Sequence, residues 1–277
     1  GSSWVASTAV ATTDVQTCYR HPDRRAGVRC QRCDRPICPS CMHQASVGFH
    51  CPECTRSGRQ HVVTARSLAT KPVVTMALVA ANLAIFLADA GSSGDWADKG
   101  ALWGPAVAAD DWWRPITAGF LHVNLVHVGF NMFLLWQLGN LLEPAVKRWG
   151  FSALYLMSLL GGSFLVLVVS NDAVTVGASG AVFGLMGATF IAMRSRGIDP
   201  FQTGIGPLIV INLILTFAIP NISIGGHIGG LIAGTAGGWI LWEWAPRLAP
   251  RSPLPVLACL AIAGALFAGC LVVAQPL

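Results

Sequence analysis

Charge is what this sequence has least of. Only 11% of its 277 residues are charged while 53% are hydrophobic, which excludes an ordinary soluble globular domain and points to a polytopic membrane protein. The N-terminus lacks the charged flank, apolar core and small-residue cleavage site of a secretory signal, so the first hydrophobic span is expected to serve as the insertion signal. No aromatic stacking platform accompanies the arginines of the N-terminal region, which makes nucleic acid the weakest partner. No pair of spans is visibly broken or inversely repeated, which argues against a transporter with a site at the bilayer midplane.

The charges that are present are unevenly placed. Ten of the eighteen Lys and Arg precede residue 72. Beyond it the chain is a series of apolar runs near 72–90, 121–142, 151–170, 179–193, 205–220, 225–243 and 255–275, each read as a helix crossing a hydrocarbon core of roughly 30 Å. Lys147 and Arg148, Arg194 and Arg196, and Arg247 and Arg251 follow the second, fourth and sixth runs, and so share a side with the basic N-terminal region. The positive-inside rule makes that side the cytoplasm, with the C-terminus outside and the plasma membrane the expected location. In residues 91–120, Asp95, Asp98, Asp110 and Asp111 outnumber Lys99 and Arg114, and Trp103, Trp112 and Trp113 are of the kind that settle at a membrane interface. That stretch is read as an outer loop lying partly in the interface.

Seven of the nine cysteines crowd into residues 18–54. With one histidine they form four pairs, each with two intervening residues: Cys18 and His21, Cys30 and Cys33, Cys38 and Cys41, Cys51 and Cys54. Such a set of soft or borderline ligands suits two structural, tetrahedral zinc ions. A segment this short has little core, so metal binding would supply much of its folding energy. A disulfide framework is disfavoured by the reducing side on which the module is expected to lie. The spacing suggests a cross-brace, the first and third pairs on one ion and the second and fourth on the other, with His43 and His50 as spare ligands that could replace a neighbour. The pattern resembles small B-box-like or RING-like zinc modules, which bind proteins. A cytoplasmic protein partner is therefore expected, with anionic lipid the alternative that the arginines favour. Cys259 and Cys270, in the last run, read as small apolar packing residues.

Strongly polar groups inside a membrane span are costly, so each is a functional candidate. His127 and Asn131 lie in the second run, Ser179 opens the fourth, and His227 stands near the start of the sixth. Ser179 is fifteen residues before Arg194, His127 sixteen before Glu143, and His227 sixteen before Glu243. At about 1.5 Å per residue all three then lie at one depth, nearer the outer surface. Gly226, Gly230, Gly234 and Gly238 repeat every fourth residue, and Gly180 and Gly184 do the same, so two helices present glycine grooves that permit close packing. Close packing could bring the Ser179 hydroxyl to His227, as a nucleophile beside its general base. His127 and Asn131 share a helix face and, with the backbone N–H of Ser179, would supply donors for a developing oxyanion. No carboxylate sits at that depth to orient His227, so the expected arrangement is a dyad. His122, at the outer end of its span, reads as a brace for the loop; Trp113 and Arg114 read as interface anchors.

These residues resemble the rhomboid family of intramembrane serine proteases. The likeness runs from about residue 72 to 245: "WWRPITAGFLHVNLVHVGFN" is similar to the family's Trp-Arg loop and His-x-x-x-Asn helix, "GASG" to its Gly-x-Ser-Gly nucleophile motif, and "GGHIGG" to the helix bearing the base. The resemblance implies Ser179 as nucleophile, His227 as base, His127 and Asn131 as oxyanion donors, and Trp113 and Arg114 as structural residues of a membrane-dipping loop. Phe183 stands where many members have a tyrosine stacked on the base, so the ring remains and its hydroxyl is lost. The implied fold is an all-α six-helix bundle plus one C-terminal transmembrane helix. The implied reaction is peptide hydrolysis in or near a transmembrane segment of a single-span or polytopic substrate in the bilayer, through an acyl-enzyme and without a catalytic cofactor.

The resulting organisation is a leader over 1–17, the zinc module over 18–54, a basic linker over 55–71, the rhomboid-like catalytic domain over 72–245, and a loop with a seventh helix over 246–277. A catalytically silent relative that escorts membrane proteins is the rival reading, against which the presence of both Ser179 and His227 counts. A protease whose zinc module recruits substrates or a regulatory partner accounts for the whole chain.

Overall fold

A computed structural model describes residues 16–45, 47–57, 71–92, 95–249 and 251–275. Most of the leader read over 1–17 and of the linker read over 55–71 lies outside the described residues. The chain divides into two compact units, Gly1–Leu68 and Ala69–Leu277.

In the first unit there is almost no regular structure for a core to rest on. Strand β1 (Val28–Arg29) pairs antiparallel with β2 (Pro36–Ile37), and β3 (His43–Gln44) pairs with β4 (Phe49–His50). Helix α1 (Pro52–Ser57) follows. Ile37 is buried among Cys18, Cys30, Cys38, Cys41 and Cys51, so the inside of this unit is mostly sulfur. Tyr19 and Phe49 close it at the edges, the Tyr19 hydroxyl donating to Glu53 and the Arg35 guanidinium lying over the Tyr19 ring.

The second unit is all-α, with helices α2 (Val73–Gly91), α3 (Asp95–Gly100), α4 (Gly104–Ala108), α5 (Arg114–Thr117), α6 (Leu125–Val169), α7 (Ser179–Arg194), α8 (Ile205–Ala218), α9 (Ile224–Trp239) and α10 (Leu254–Val273). By length and composition α2, α6, the segment Ile224–Arg247 and α10 can each cross a membrane, while α7 and α8 are shorter apolar helices. Together they make a polytopic membrane protein. Helix α6 is two rods in one: Pro144 lies inside it, and Lys147 (φ 63°, ψ 173°) turns the chain between them.

The second run begins as a helix at residue 125, where the periodicity alone places it at 121. Asn124 is the reason, since its side chain accepts the His127 backbone N–H at 2.9 Å and so starts the helix. The loop before it contains the short helices α3, α4 and α5. Arg114 is only 8% exposed: its Nε donates to Asp111 Oδ2 at 2.8 Å, and its Nη1 to the carbonyls of Asp98 and Ala101 at 3.0 and 2.8 Å. It is a clamp across the loop.

What positions the site is a seam in which helix backbones touch. A Cβ on Gly180 would lie 3.1 Å from the Gly226 carbonyl, and one on Gly162 of α6 would lie 2.8 Å from that same oxygen and 3.3 Å from Gly180 Cα. Further along, Gly230 faces the Gly180 backbone and Gly234 the Gly184 backbone, each inside contact distance of any added Cβ. Lipid offers no hydrophobic drive for helices to associate, so this close approach is what holds α6, α7 and α9 together. At the far end of the bundle, Glu143 of α6 is 2% exposed and accepts the backbone N–H groups of Val74 and Thr75 at 2.9 and 2.8 Å, and the Thr75 hydroxyl at 2.8 Å. It caps α2, whose own N-cap, Pro72, offers no side-chain bond.

Candidate active site

Ser179 is the first residue of α7, and His227 lies in the first turn of α9. Their neighbours Gly180 and Gly226 are in contact across the seam, so the two side chains project from adjacent points on adjacent helices. Both line one cleft of about 1200 Å³, bounded by the start of α6, the segment before α7, and α8. His127 and Asn131 line the same cleft.

Local chemistry explains each placement. Gly177 has φ +125°, a conformation that L side chains rarely adopt, and a Cβ there would lie 2.7 Å from the His127 imidazole and 3.7 Å from Ser179 Oγ. The turn is anchored on both sides: Leu102 and Thr175 exchange N–H···O bonds of 2.9 Å, and the Gly177 N–H donates to Ala118 O at 2.9 Å. The Ala178 N–H donates to His122 Nε2 at 3.5 Å, and the His122 ring meets His127 edge-on with centroids 4.9 Å apart. Trp113 Nε1 donates to Lys99 O at 3.2 Å. Trp113, Arg114 and His122 thus hold the loop and the approach to the serine and stand outside the cleft lining.

Ser179 is half-buried and lines the cleft. Because it opens a helix, backbone N–H groups of the first turn of α7 have no intrahelical partner and point towards the same space. Asn131 Nδ2 donates to His127 O at 3.0 Å, which uses one of its two N–H bonds. His127 Nδ1 is buried and has no partner among the described residues.

His227 is 9% exposed and held on two sides. The Phe183 ring stacks on the imidazole with centroids 4.0 Å apart and planes at 17°. Its Nδ1 lies 2.7 Å from the hydroxyl of Thr216, in α8. Thr216 is the residue that reading the sequence missed. Its signal is a hydroxyl in the aliphatic stretch "INLILTFA", where a threonine bonding its own helix is the ordinary expectation.

The model of the Rhomboid domain family matches residues 109–244, which include every residue of the cleft named above. The chain is 38% identical over 131 residues to the Rhomboid protease GluP of Bacillus subtilis, covering 46% of this chain and 26% of that protein. It is 35% identical to RHOMBOID-like protein 6, mitochondrial, of Arabidopsis thaliana, covering 51% and 48%. With YdcA of Bacillus subtilis, whose name also places it among the rhomboids, identity is 31% over 169 residues, covering 59% of this chain and 85% of the relative. The chain belongs to the rhomboid family. It spans between about a quarter and a half of the length of GluP and of the Arabidopsis relative.

Outside the rhomboid domain, the N-terminal unit gathers its ligand pairs into two groups, Cys18, His21, Cys38 and Cys41, and Cys30, Cys33, Cys51 and Cys54, with the donor atoms of each group within 4.8 Å of one another. His21 Nδ1 lies 3.4 Å from Cys38 Sγ and 3.3 Å from Cys41 Sγ, and Cys33 Sγ lies 3.7 Å from Cys51 Sγ. A tetrahedron with metal–sulfur bonds of about 2.3 Å has edges of about 3.7 Å, so the spacing fits such an ion. None of these cysteines is paired in a disulfide. Burial pushes the Cys30 thiol up, but the backbone N–H groups of Cys51, Arg32 and Cys33 outweigh it and hold it at about 6. His43 and His50 face each other across the β3–β4 pair and belong to neither group.

Proposed function

We propose that this rhomboid is an intramembrane serine protease that cuts peptide bonds in or near the transmembrane segments of membrane proteins. The observation that carries the reading is the shared cleft: a half-buried serine at a helix start, on the lining that also holds a histidine whose Nδ1 is already bonded and whose Nε2 has no partner among the described residues. Ser179 Oγ attacks the scissile carbonyl carbon, and His227 Nε2 takes its proton as the O–C bond forms. The Ser179 N–H, the free amide N–H of Asn131 and the His127 ring stabilise the oxyanion. Collapse breaks the C–N bond, and His227 returns the proton to the leaving amine. Water, activated by the same base, then hydrolyses the acyl-enzyme. Phe183 restricts the imidazole to one plane; Trp113, Arg114 and His122 keep the loop and the serine turn in place.

In this reading the N-terminal unit is a two-zinc module held by the eight ligands named above, on the cytoplasmic side of the plasma membrane, with the C-terminus outside. It serves protein interaction or regulation and takes no part in the chemistry.

The test is cleavage of a single-span substrate by the purified protein in lipid. Wild type should yield product, and Ser179→Ala and His227→Ala should each abolish it, with folding checked by thermal melting in the same lipid. Equal cleavage by the Ser179→Ala protein would remove the reading.

A further inference from the structure

We infer that Thr216 is a positioning residue for His227, selecting the imidazole tautomer in which Nδ1 carries the proton and Nε2 is the free base. The inference rests on the protease reading of the same cleft and adds a third member to what the sequence presents as a dyad.

Helix α8 turns one side to the protein. Its buried residues are Gly206, Asn212 and Thr216, while Val210, Ile211, Ile214, Leu215 and Phe217 face outward. The inner side of the helix thus carries two polar side chains, Asn212 and Thr216, among Leu208, Ile209 and Leu213, which pack on the bundle core. In a bilayer the outward apolar side is unremarkable, but a hydroxyl turned inwards needs partners. Thr216, 2% exposed, has two: Oγ1 lies 2.7 Å from Asn212 O and 2.7 Å from His227 Nδ1.

One hydroxyl has one hydrogen. A carbonyl oxygen can only accept, so the bond to Asn212 O takes the Thr216 hydrogen, and the Thr216 oxygen is left to accept from His227. Nδ1 must then be protonated, which leaves the Nε2 lone pair for the Ser179 proton. If the hydroxyl turned to donate to Nδ1 instead, its bond to Asn212 O would be lost and Nε2 would carry a hydrogen, unable to act as base. The productive arrangement keeps one more hydrogen bond in a place from which water is largely excluded. One such bond is worth about a tenfold preference between the two states. During the reaction the imidazolium keeps its Nδ1–H on the threonine oxygen; no proton passes through Thr216.

The experiment compares kcat and KM of the full chain in lipid, for wild type, Thr216→Val and Thr216→Ser, on the single-span substrate. Valine keeps the shape and removes the hydroxyl; serine keeps the hydroxyl. Losing the tautomer bias alone would cost about twofold, and leaving the imidazolium Nδ1–H without its acceptor costs the rest, so Thr216→Val should lose about tenfold in kcat with KM within about twofold, and Thr216→Ser should recover most of the loss. Wild-type kcat in a folded Thr216→Val protein, or serine as impaired as valine, would overturn it. A second measurement needs no variant at 216: the imidazole 15N shifts of His227, assigned by difference against His227→Asn, should report a protonated Nδ1 and an unprotonated Nε2, and the reverse assignment would also overturn it. Cleavage that survives Ser179→Ala would instead defeat the protease reading, while the nitrogen shifts would still decide the tautomer.

Discussion

The two units of this chain solve the same problem with opposite means. The N-terminal unit has hairpins of two-residue strands and an interior of thiols, so almost nothing in it is held by apolar packing. In the membrane unit the seam of α6, α7 and α9 is closed by surfaces that carry little side chain, glycine backbone against glycine backbone. On the two-zinc reading one would depend on what binds to it, while the other depends on what has been left out of it. The first should therefore fail all at once when its ligand is removed, and the second should fail by degrees when atoms are added.

The largest effect should come from stripping metal. Binding of structural zinc to modules of this kind is worth on the order of 10 kcal/mol or more, which exceeds anything the small core can provide. Chelation should open the unit to trypsin at Arg20, Arg24, Arg25, Arg29, Arg32 and Arg35, all exposed, while the helical signal of the membrane unit stays unchanged. A module that stays resistant to trypsin after the metal is gone would break the contrast between the units.

Next comes the seam. Gly234→Ala puts a methyl group into the backbone of Gly184, which cannot swing aside as a side chain would. Overpacking of this kind costs about 1 to 3 kcal/mol. Because the same seam sets Ser179 beside His227, activity should fall with thermal stability. Full activity in a stable Gly234→Ala protein would show that α7 and α9 can separate without losing the site.

How much of this could be read from the chain follows the same division. Helix α2 at 73–91 and α10 at 254–273 lie within two residues of the apolar runs, because the length of a hydrophobic run is a local property. Ser179 and His227 stand out for a similar reason: a polar residue amid apolar ones is visible without knowing what it touches. Thr216 and Glu143 were not legible as partners, since their roles lie wholly in contacts with other helices. Thr216 looks like any helix threonine until His227 is brought to it. Glu143 reads as a boundary charge until α2 presents its unpaired N–H groups 69 and 68 residues away in sequence. Arg114 reads as an interface anchor by type, yet its donors are turned inward on the loop.

Glu143 supplies a smaller test, within the membrane unit alone. Glu143→Gln keeps the volume but replaces one carboxylate oxygen with an NH₂ that cannot accept, so at least one N–H of Val74 or Thr75 loses its acceptor. The loss should be about 1 to 2 kcal/mol in thermal or denaturant stability. It should leave kcat little changed, because neither Glu143 nor any residue of α2 lines the cleft.

The smallest effect should be a gain. Lys147 turns the chain between the two rods of α6 with φ 63° and ψ 173°, a combination that glycine adopts freely and other residues only under strain. The side chain is exposed, so replacing it removes little packing. Lys147→Gly should relieve about 1 kcal/mol of backbone strain, offset in part by the greater freedom of glycine in the unfolded chain. A rise of a degree or two in Tm, with cleavage unchanged, is the expected result. A fall would mean that the turn is held by its lysine, for instance through lipid headgroups at the membrane surface. The membrane unit would then lean on something bound to it, as the two-zinc reading has the N-terminal unit do, and the difference between the two would be one of degree.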